Sequence, residues 1–213
     1  MQMLKSFFIF CLCLTMGFHA TAAKTLISSQ DQLIKTLVSL TSSPMTKITS
    51  TKIVESLLVG KKTNYTGEIF LSQGKFRWDT KTPEISTLLF DGKALWVIEN
   101  QFITKTKLSK DAKSQTLTTI LFNPKSLKKK FDLEEKSSTE NAIVISLKPK
   151  AKDIPVSDIV VTYNSVTKDL EQLSYSENDN KTTIEFHKIE KMKKANSSYF
   201  KYKVKPGDKI TEL

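Results

Sequence analysis

The chain has 213 residues, 33 Lys and Arg against 22 Asp and Glu, a formal net charge of +11, two cysteines and two histidines. Cys11, Cys13 and His19 all fall in the first 23 residues, so the remainder has no thiol and a single histidine, His187. Disulfide scaffolds, thiol nucleophiles and Cys/His zinc sites are therefore excluded for residues 24–213 by inventory.

Residues 1–23 read as a secretory signal peptide. Lys5 supplies a basic start, an apolar run extends from Phe7 to Phe18, and "ATAA" offers small residues for cleavage near Ala23. The run falls short of the roughly 20 apolar residues that a membrane span needs. Neither cysteine follows the small residue expected before a lipid-attached one. Loss of Lys5 leaves a mature charge of 11 − 1 = +10, and residues 24–213 fit a single domain. Lysines spread through patterns such as "ITKTKLSK" and "FKYKVKPGDK" read as wet strand faces, with attraction to an anionic membrane or acidic partner as the functional reading. Nucleic acid is not expected, because interleaved aromatic and arginine motifs are missing.

The stretch "SSQDQLIKTLVSLTSS" carries Leu33, Ile34, Leu37, Val38 and Leu40 at helical spacing, behind Ser28 or Ser29 as N-cap, and predicts an amphipathic helix ending before Pro44. Residues Lys47–Leu58 and Thr66–Gln73 alternate as strands do. In "GKFRWD", Phe76 and Trp78 fall on one strand face, with Lys75, Arg77 and Asp79 on the other. Pro83 breaks that run. Asp91-Gly92 then predicts a type I′ hairpin that pairs Phe90 with Lys93, Leu88 with Leu95 and Thr87 with Trp96. Both faces of this hairpin carry apolar side chains, and the pattern leaves open which face holds Trp96.

Between Asp111 and Asn123 the period turns helical, with Leu117, Ile120 and Leu121 on one stripe and Pro124 closing the segment. The basic run "KSLKKKFDLEEK" reads as solvated surface, or as a docking patch for a membrane or acidic partner. Five alternating runs follow: "AIVISLKP", "DIVVTYN", "LEQLSYSE", "TTIEFHKIE" and "YFKYKVKP". The sum is mostly antiparallel β with two or three helices. Glu134 and Glu135 are adjacent, so on a strand they point to opposite faces and cannot share a substrate. No catalytic or metal-binding constellation is visible, and an enzyme is not expected.

An N-terminal helix, a strand opening with Gly67, "GKFRWD", the Pro83 link, "FDGKALW", a helix ending near "FNP" and the closing "FKYKVKPGDKI" follow one another over most of the mature chain. This ordered set resembles the LolA-like proteins, periplasmic carriers of outer-membrane lipoproteins. The resemblance implies a mainly β, α+β fold with a helical lid: an open, curved antiparallel half-barrel of about 11 strands over an apolar cavity closed by helices. It implies a periplasmic chaperone that takes lipoprotein acyl chains from an inner-membrane exporter and passes them to an outer-membrane acceptor where one is present. A monomer without cofactor is expected. The same fold also suits an envelope lipid sensor or a free-lipid-binding module.

Cavity candidates under this resemblance are Phe76, Trp78, Leu88, Leu95 and Trp96, with Ile145, Phe186 and Tyr202 from later strands. Lid candidates are Leu33, Leu37, Leu117, Ile120 and Leu121. Each aromatic on a strand reads equally as packed core. The sequence departs from the family at the Arg-Pro pair many members carry before "FRW", whose arginine fastens the lid; Ser72 or Gln73 stands there instead.

Overall fold

The computed structural model describes residues 28–107, 120, 124–151 and 156–213. The expected helix over 111–123 lies outside the described residues except for Ile120, as do Leu117 and Leu121.

Helix α1 spans Ser29–Ser42. Ser28 holds an extended conformation and its Oγ accepts from the Asp31 N–H at 3.1 Å, satisfying a first-turn donor that has no carbonyl partner. Ser43 returns to an extended conformation directly before Pro44, whose ring disfavours a helical residue ahead of it. Leu33, Leu37 and Leu40 form the buried stripe. Complete burial of a leucine contributes roughly 1.5–3 kcal/mol, so this stripe, more than helix propensity, holds α1 in place.

The strands are β1 (Met45–Ser56), β2 (Lys62–Ser72), β3 (Lys75–Thr82), β4 (Ser86–Phe90), β5 (Ala94–Glu99), β6 (Phe102–Lys107), β7 (Phe131–Ser138), β8 (Ala142–Pro149), β9 (Ser157–Asn164), β10 (Leu170–Glu177), β11 (Asn180–Met192) and β12 (Lys209–Glu212). They form one 12-stranded sheet in the order β12-β6-β5-β4-β3-β2-β1-β11-β10-β9-β8-β7, and the sheet is open because β12 and β7 are its two edges. Neighbours are antiparallel except β12, which runs parallel to β6. Helix α1 touches β1, β2 and β7. Along a flat sheet β2 and β7 would stand six spacings, roughly 29 Å, apart, whereas a 14-residue helix is about 21 Å long. The sheet therefore curls around α1.

Two expectations are corrected. The hairpin between β4 and β5 pairs Phe90 with Leu95, Leu89 with Trp96, Leu88 with Val97 and Thr87 with Ile98, two residues from the predicted register. Asp91 stays in the ladder, its N–H donating to the Ala94 carbonyl, and Gly92-Lys93 form the turn with positive φ at Gly92 alone. A glycine at the first central position suits a type II′ turn. A shift of two preserves the faces, so only the cross-strand neighbours change.

The "YFKYKVKP" segment is not a strand. Residues Ser197–Phe200 form a 3-10 turn, the chain then crosses the sheet without pairing, and only Lys209–Glu212 joins β6. Phe200 and Tyr202 are bound by side-chain packing on the sheet face, which backbone alternation cannot reveal. The basic run keeps its charged side chains exposed, in keeping with solvated surface: a turn at Pro124–Ser126 and a helical turn at Leu127–Lys130 lead into β7, with only Leu127 and Phe131 of the run buried. Its charges blunt the β7 edge against pairing with another chain.

Gly67 faces Ser50 in β1 and sits at a bulge against β3. A Cβ there would lie 2.3 Å from the Asp79 carbonyl oxygen, a backbone atom that cannot move aside. Gly67→Ala is expected to cost about 2 kcal/mol or more, read as a lower urea unfolding midpoint; an unchanged midpoint would show that the two strands are not this close.

Candidate functional site

Because β2–β5 alternate, they sort apolar side chains onto two faces. On the inner face Ile69, Leu71 and Phe76 join Leu33, Leu37, Ile48 and Ile120 in the main core, with Trp78, Leu88, Phe90 and Leu95 packed against it but only partly buried. On the outer face Met45, Phe70, Leu89 and Phe200 form a second cluster with Trp96, Ile98 and Tyr202.

The cavity candidates thus separate into three groups. Phe76 (3% exposed), Ile145 (0%) and Phe186 (7%) are interior members of the main core. Trp78, Leu88 and Leu95 occupy the half-buried inner surface of β3–β5. Trp96 and Tyr202 are not with them, and face each other on the outer side with ring centroids 5.7 Å apart. Of the lid candidates, Leu33, Leu37 and Ile120 are buried against the inner face.

Charges follow the same division. Arg77, on the outer face, donates from Nε to both carboxylate oxygens of Asp79 at 2.8 and 2.7 Å and from Nη1 to the Tyr199 carbonyl at 3.3 Å. Thr87 Oγ1 donates to Asp79 as well. These bonds fasten the C-terminal strap, residues 197–208, over the outer cluster, where Tyr199 packs on Phe70 at 5.0 Å. The Tyr202 hydroxyl donates to Asp208 at 2.6 Å; burial and that bond raise the Tyr202 pKa to about 12. The outer face is therefore closed by the chain itself.

At the position where the family's arginine would stand, Ser72 is buried and its hydroxyl donates to the Pro44 carbonyl, tying the α1–β1 link to β2. Gln73 takes positive φ in the β2–β3 turn.

The inner face opens into a cleft of about 740 Å³ lined by Lys52, Tyr65, Thr80, Ile85, Ser86 and Phe102 together with Glu84, Glu99 and Asn100. That size is within the range of ligand sites. None of these residues stands among the sequence candidates. The usable signal was parity: Ile48, Ser50 and Lys52 lie on one face of β1, and pairing of Lys52 with Tyr65 carries that face onto β2. Among the described residues, no group of three or more His, Cys, Asp or Glu side chains could hold a metal ion. No helix among them is long and apolar enough to cross a membrane.

A single open sheet curled around a packed helix is a half-barrel architecture. Residues 59–203 match the family described as outer membrane lipoprotein carrier protein LolA, so the chain belongs to the LolA family. No curated relative matches the sequence. Among solved structures, an uncharacterised conserved protein from Thermus thermophilus superposes with a TM-score of 0.53 at 9% identity, covering 85% of this chain and 98% of that one. A LolA superfamily protein from Nitrosomonas europaea gives 0.48 at 9%, covering 83% and 98%. A putative outer membrane lipoprotein-sorting protein domain from Vibrio parahaemolyticus gives 0.42 at 8%, covering 79% and 94%. At such identities the Thermus likeness speaks to the fold alone.

The turn between β4 and β5 has its own electrostatic signature. Burial raises the Asp91 pKa, but bonds from the Ala94 N–H, Trp96 Nε1 and the Lys93 N–H together outweigh it, and the net direction is down. With the folded value below the unfolded one, the ionised carboxylate stabilises the fold above its ordinary pKa of 3.8, and this contribution is lost as pH falls through the folded value. Asp91→Asn is expected to cost about 1 kcal/mol near neutrality and progressively less in acid, measured by urea midpoints across that range. A cost independent of pH would contradict the assignment.

Proposed function

We propose that this protein carries the acyl chains of lipoproteins through the periplasm, taking them from an inner-membrane exporter and releasing them to an outer-membrane acceptor. The observation that carries this reading is the inner face of β3–β5, where Trp78, Leu88, Phe90 and Leu95 stay partly exposed in a member of the LolA family. A soluble protein gains nothing from leaving such a strip unfilled, whereas an acyl chain laid along it escapes water at about 0.8 kcal/mol per methylene. Ten methylenes would contribute roughly 8 kcal/mol before ordering costs. Binding of that kind needs no catalysis and no cofactor. Release follows from competition with a more favourable apolar site.

In this reading Phe76, Ile145 and Phe186 form the floor under the chain, while Trp78, Leu88 and Leu95 touch it. Leu33, Leu37 and Ile120 belong to the lid, and we retain Leu117 and Leu121 with them. The signal peptide is removed near Ala23, and residues 24–213 act as one monomeric domain.

The two tryptophans provide the direct test, because they lie on opposite faces. Saturable binding of an acylated peptide should change the tryptophan emission of the wild type and of Trp96→Phe but not of Trp78→Phe. A change that follows Trp96, or no saturable binding, refutes the inner-face site. In cells, depletion should leave lipoproteins in the inner membrane when the two membranes are fractionated. Normal sorting with an altered stress response would favour an envelope sensor, and normal sorting with altered lipid content would favour free-lipid transport.

A further inference from the structure

Lys52 is anomalous on the inner face. Its Cα partners are Tyr65 on β2 and Ile184 on β11, and Ile184 is fully buried in the main core. Its ammonium nitrogen lies 4.7 Å from the Tyr65 ring centroid and 5.4 Å from that of Trp78. Among the described residues no carboxylate is within ion-pair distance of it, although Lys47, Lys62 and Lys81 on neighbouring positions each have one. Glu84 and Glu99 line the same cleft, but both are exposed and neither pairs with it. Two residues earlier on the same strand face, the buried Ser50 Oγ has no hydrogen-bond partner among the described residues.

An ammonium without a counter-ion in such a place is costly. The aromatic faces offset part of the lost hydration, but they accept no conventional hydrogen bond and leave its three N–H donors available. Burial also pulls the Lys52 pKa below the ordinary lysine value of 10.5. The rings that hold the ammonium are continuous with the apolar strip, since Trp78 stands across from Leu88. A charge at one end of an apolar strip, beside an open cleft, has the polarity of an amphiphile.

We propose that Lys52 receives the anionic head, a carboxylate or phosphate, of an acylated ligand whose chain runs over Trp78 toward Leu88. The proposal rests on the apolar strip of the lipid reading above and narrows its cargo: the acylated glyceryl group of a lipoprotein carries no carboxylate or phosphate of its own, so the acid belongs either to a free anionic lipid or to an acidic side chain beside the acylated cysteine. The bond is charge-assisted and its orientation is fixed, with the head at the Thr80–Ser86 end of the strip, where two hydroxyl side chains line the cleft.

The test compares a fatty acid, a lysophosphatidate and a monoacylglycerol of one chain length, each titrated against the folded protein by displacement of an apolar fluorescent probe. The wild type should bind at least one anionic ligand about tenfold or more tightly than the neutral one, as a hydrogen bond to a charged group implies. Lys52→Met should abolish that preference while neutral binding changes less than about twofold, and Lys52→Arg should retain it. Preference for the fatty acid alone assigns a carboxylate head, and preference for the lysophosphatidate alone assigns a phosphate. No anionic preference in the wild type, or one that survives Lys52→Met, overturns the proposal. Neutral binding then still supports the lipid reading, whereas absence of binding by all three ligands removes both. Lys52→Gln replaces the methionine variant if that one does not fold.

Discussion

A sheet that is apolar on both faces needs two covers. Strands β2–β5 carry Ile69, Leu71, Phe76 and Trp78 on one side and Phe70, Leu89, Trp96 and Ile98 on the other. Antiparallel sheets commonly leave one side to water, but here neither side can be left so without exposing a large apolar surface. Helix α1 and the curl of the sheet cover the inner side. On the outer side the C-terminal strap is seated by Phe200 and tied by the Arg77 bond to the Tyr199 carbonyl, while the Tyr202–Asp208 bond braces the strap itself.

The two covers differ in completeness. Outside, the strap brings its own aromatic rings to Phe70 and Trp96, and Leu89 is left with no exposure. Inside, α1 lies over β1, β2 and the β7 edge, and the surface of β3–β5 beyond it is only partly filled. The asymmetry gives the fold its functional direction. One face is finished by intramolecular packing; the other presents an apolar strip, a cleft and a cation.

Polar groups at the core boundary fix how the parts meet. The Thr46 hydroxyl donates to the Leu40 carbonyl, Thr36 to the Lys168 carbonyl and Tyr163 to the Ser29 carbonyl, so α1 is joined by hydrogen bonds near both ends as well as packed. Ser72 adds the bond to Pro44. Small hydroxyl side chains thus perform, through backbone carbonyls, an attachment of the helix to the sheet that needs no arginine at this position. Satisfied buried hydroxyls cost little, which makes Ser50, unpartnered among the described residues, stand out beside Lys52.

Local chemistry made much of this legible in the sequence. The cap at Ser28, the leucine stripe of α1, the alternation of β3, and the placing of Phe76 and Trp78 opposite Arg77 depend on spacing within one segment, which the backbone period fixes. The order of "FRW" and "DGKALW" brought the family into view for the same reason. Tertiary structure alone decided that Trp96 and Tyr202 lie outside, because the face a strand turns inward depends on what covers it, and the strap covering it comes from residues more than a hundred positions later. The hairpin register is itself local, set by Asp91 through three hydrogen bonds to residues 93, 94 and 96 that no dipeptide rule contains. Lys52 looked like one lysine among many; its setting between two rings arises from pairing β1 with β2 and β2 with β3, and long-range pairing is what a local pattern cannot carry.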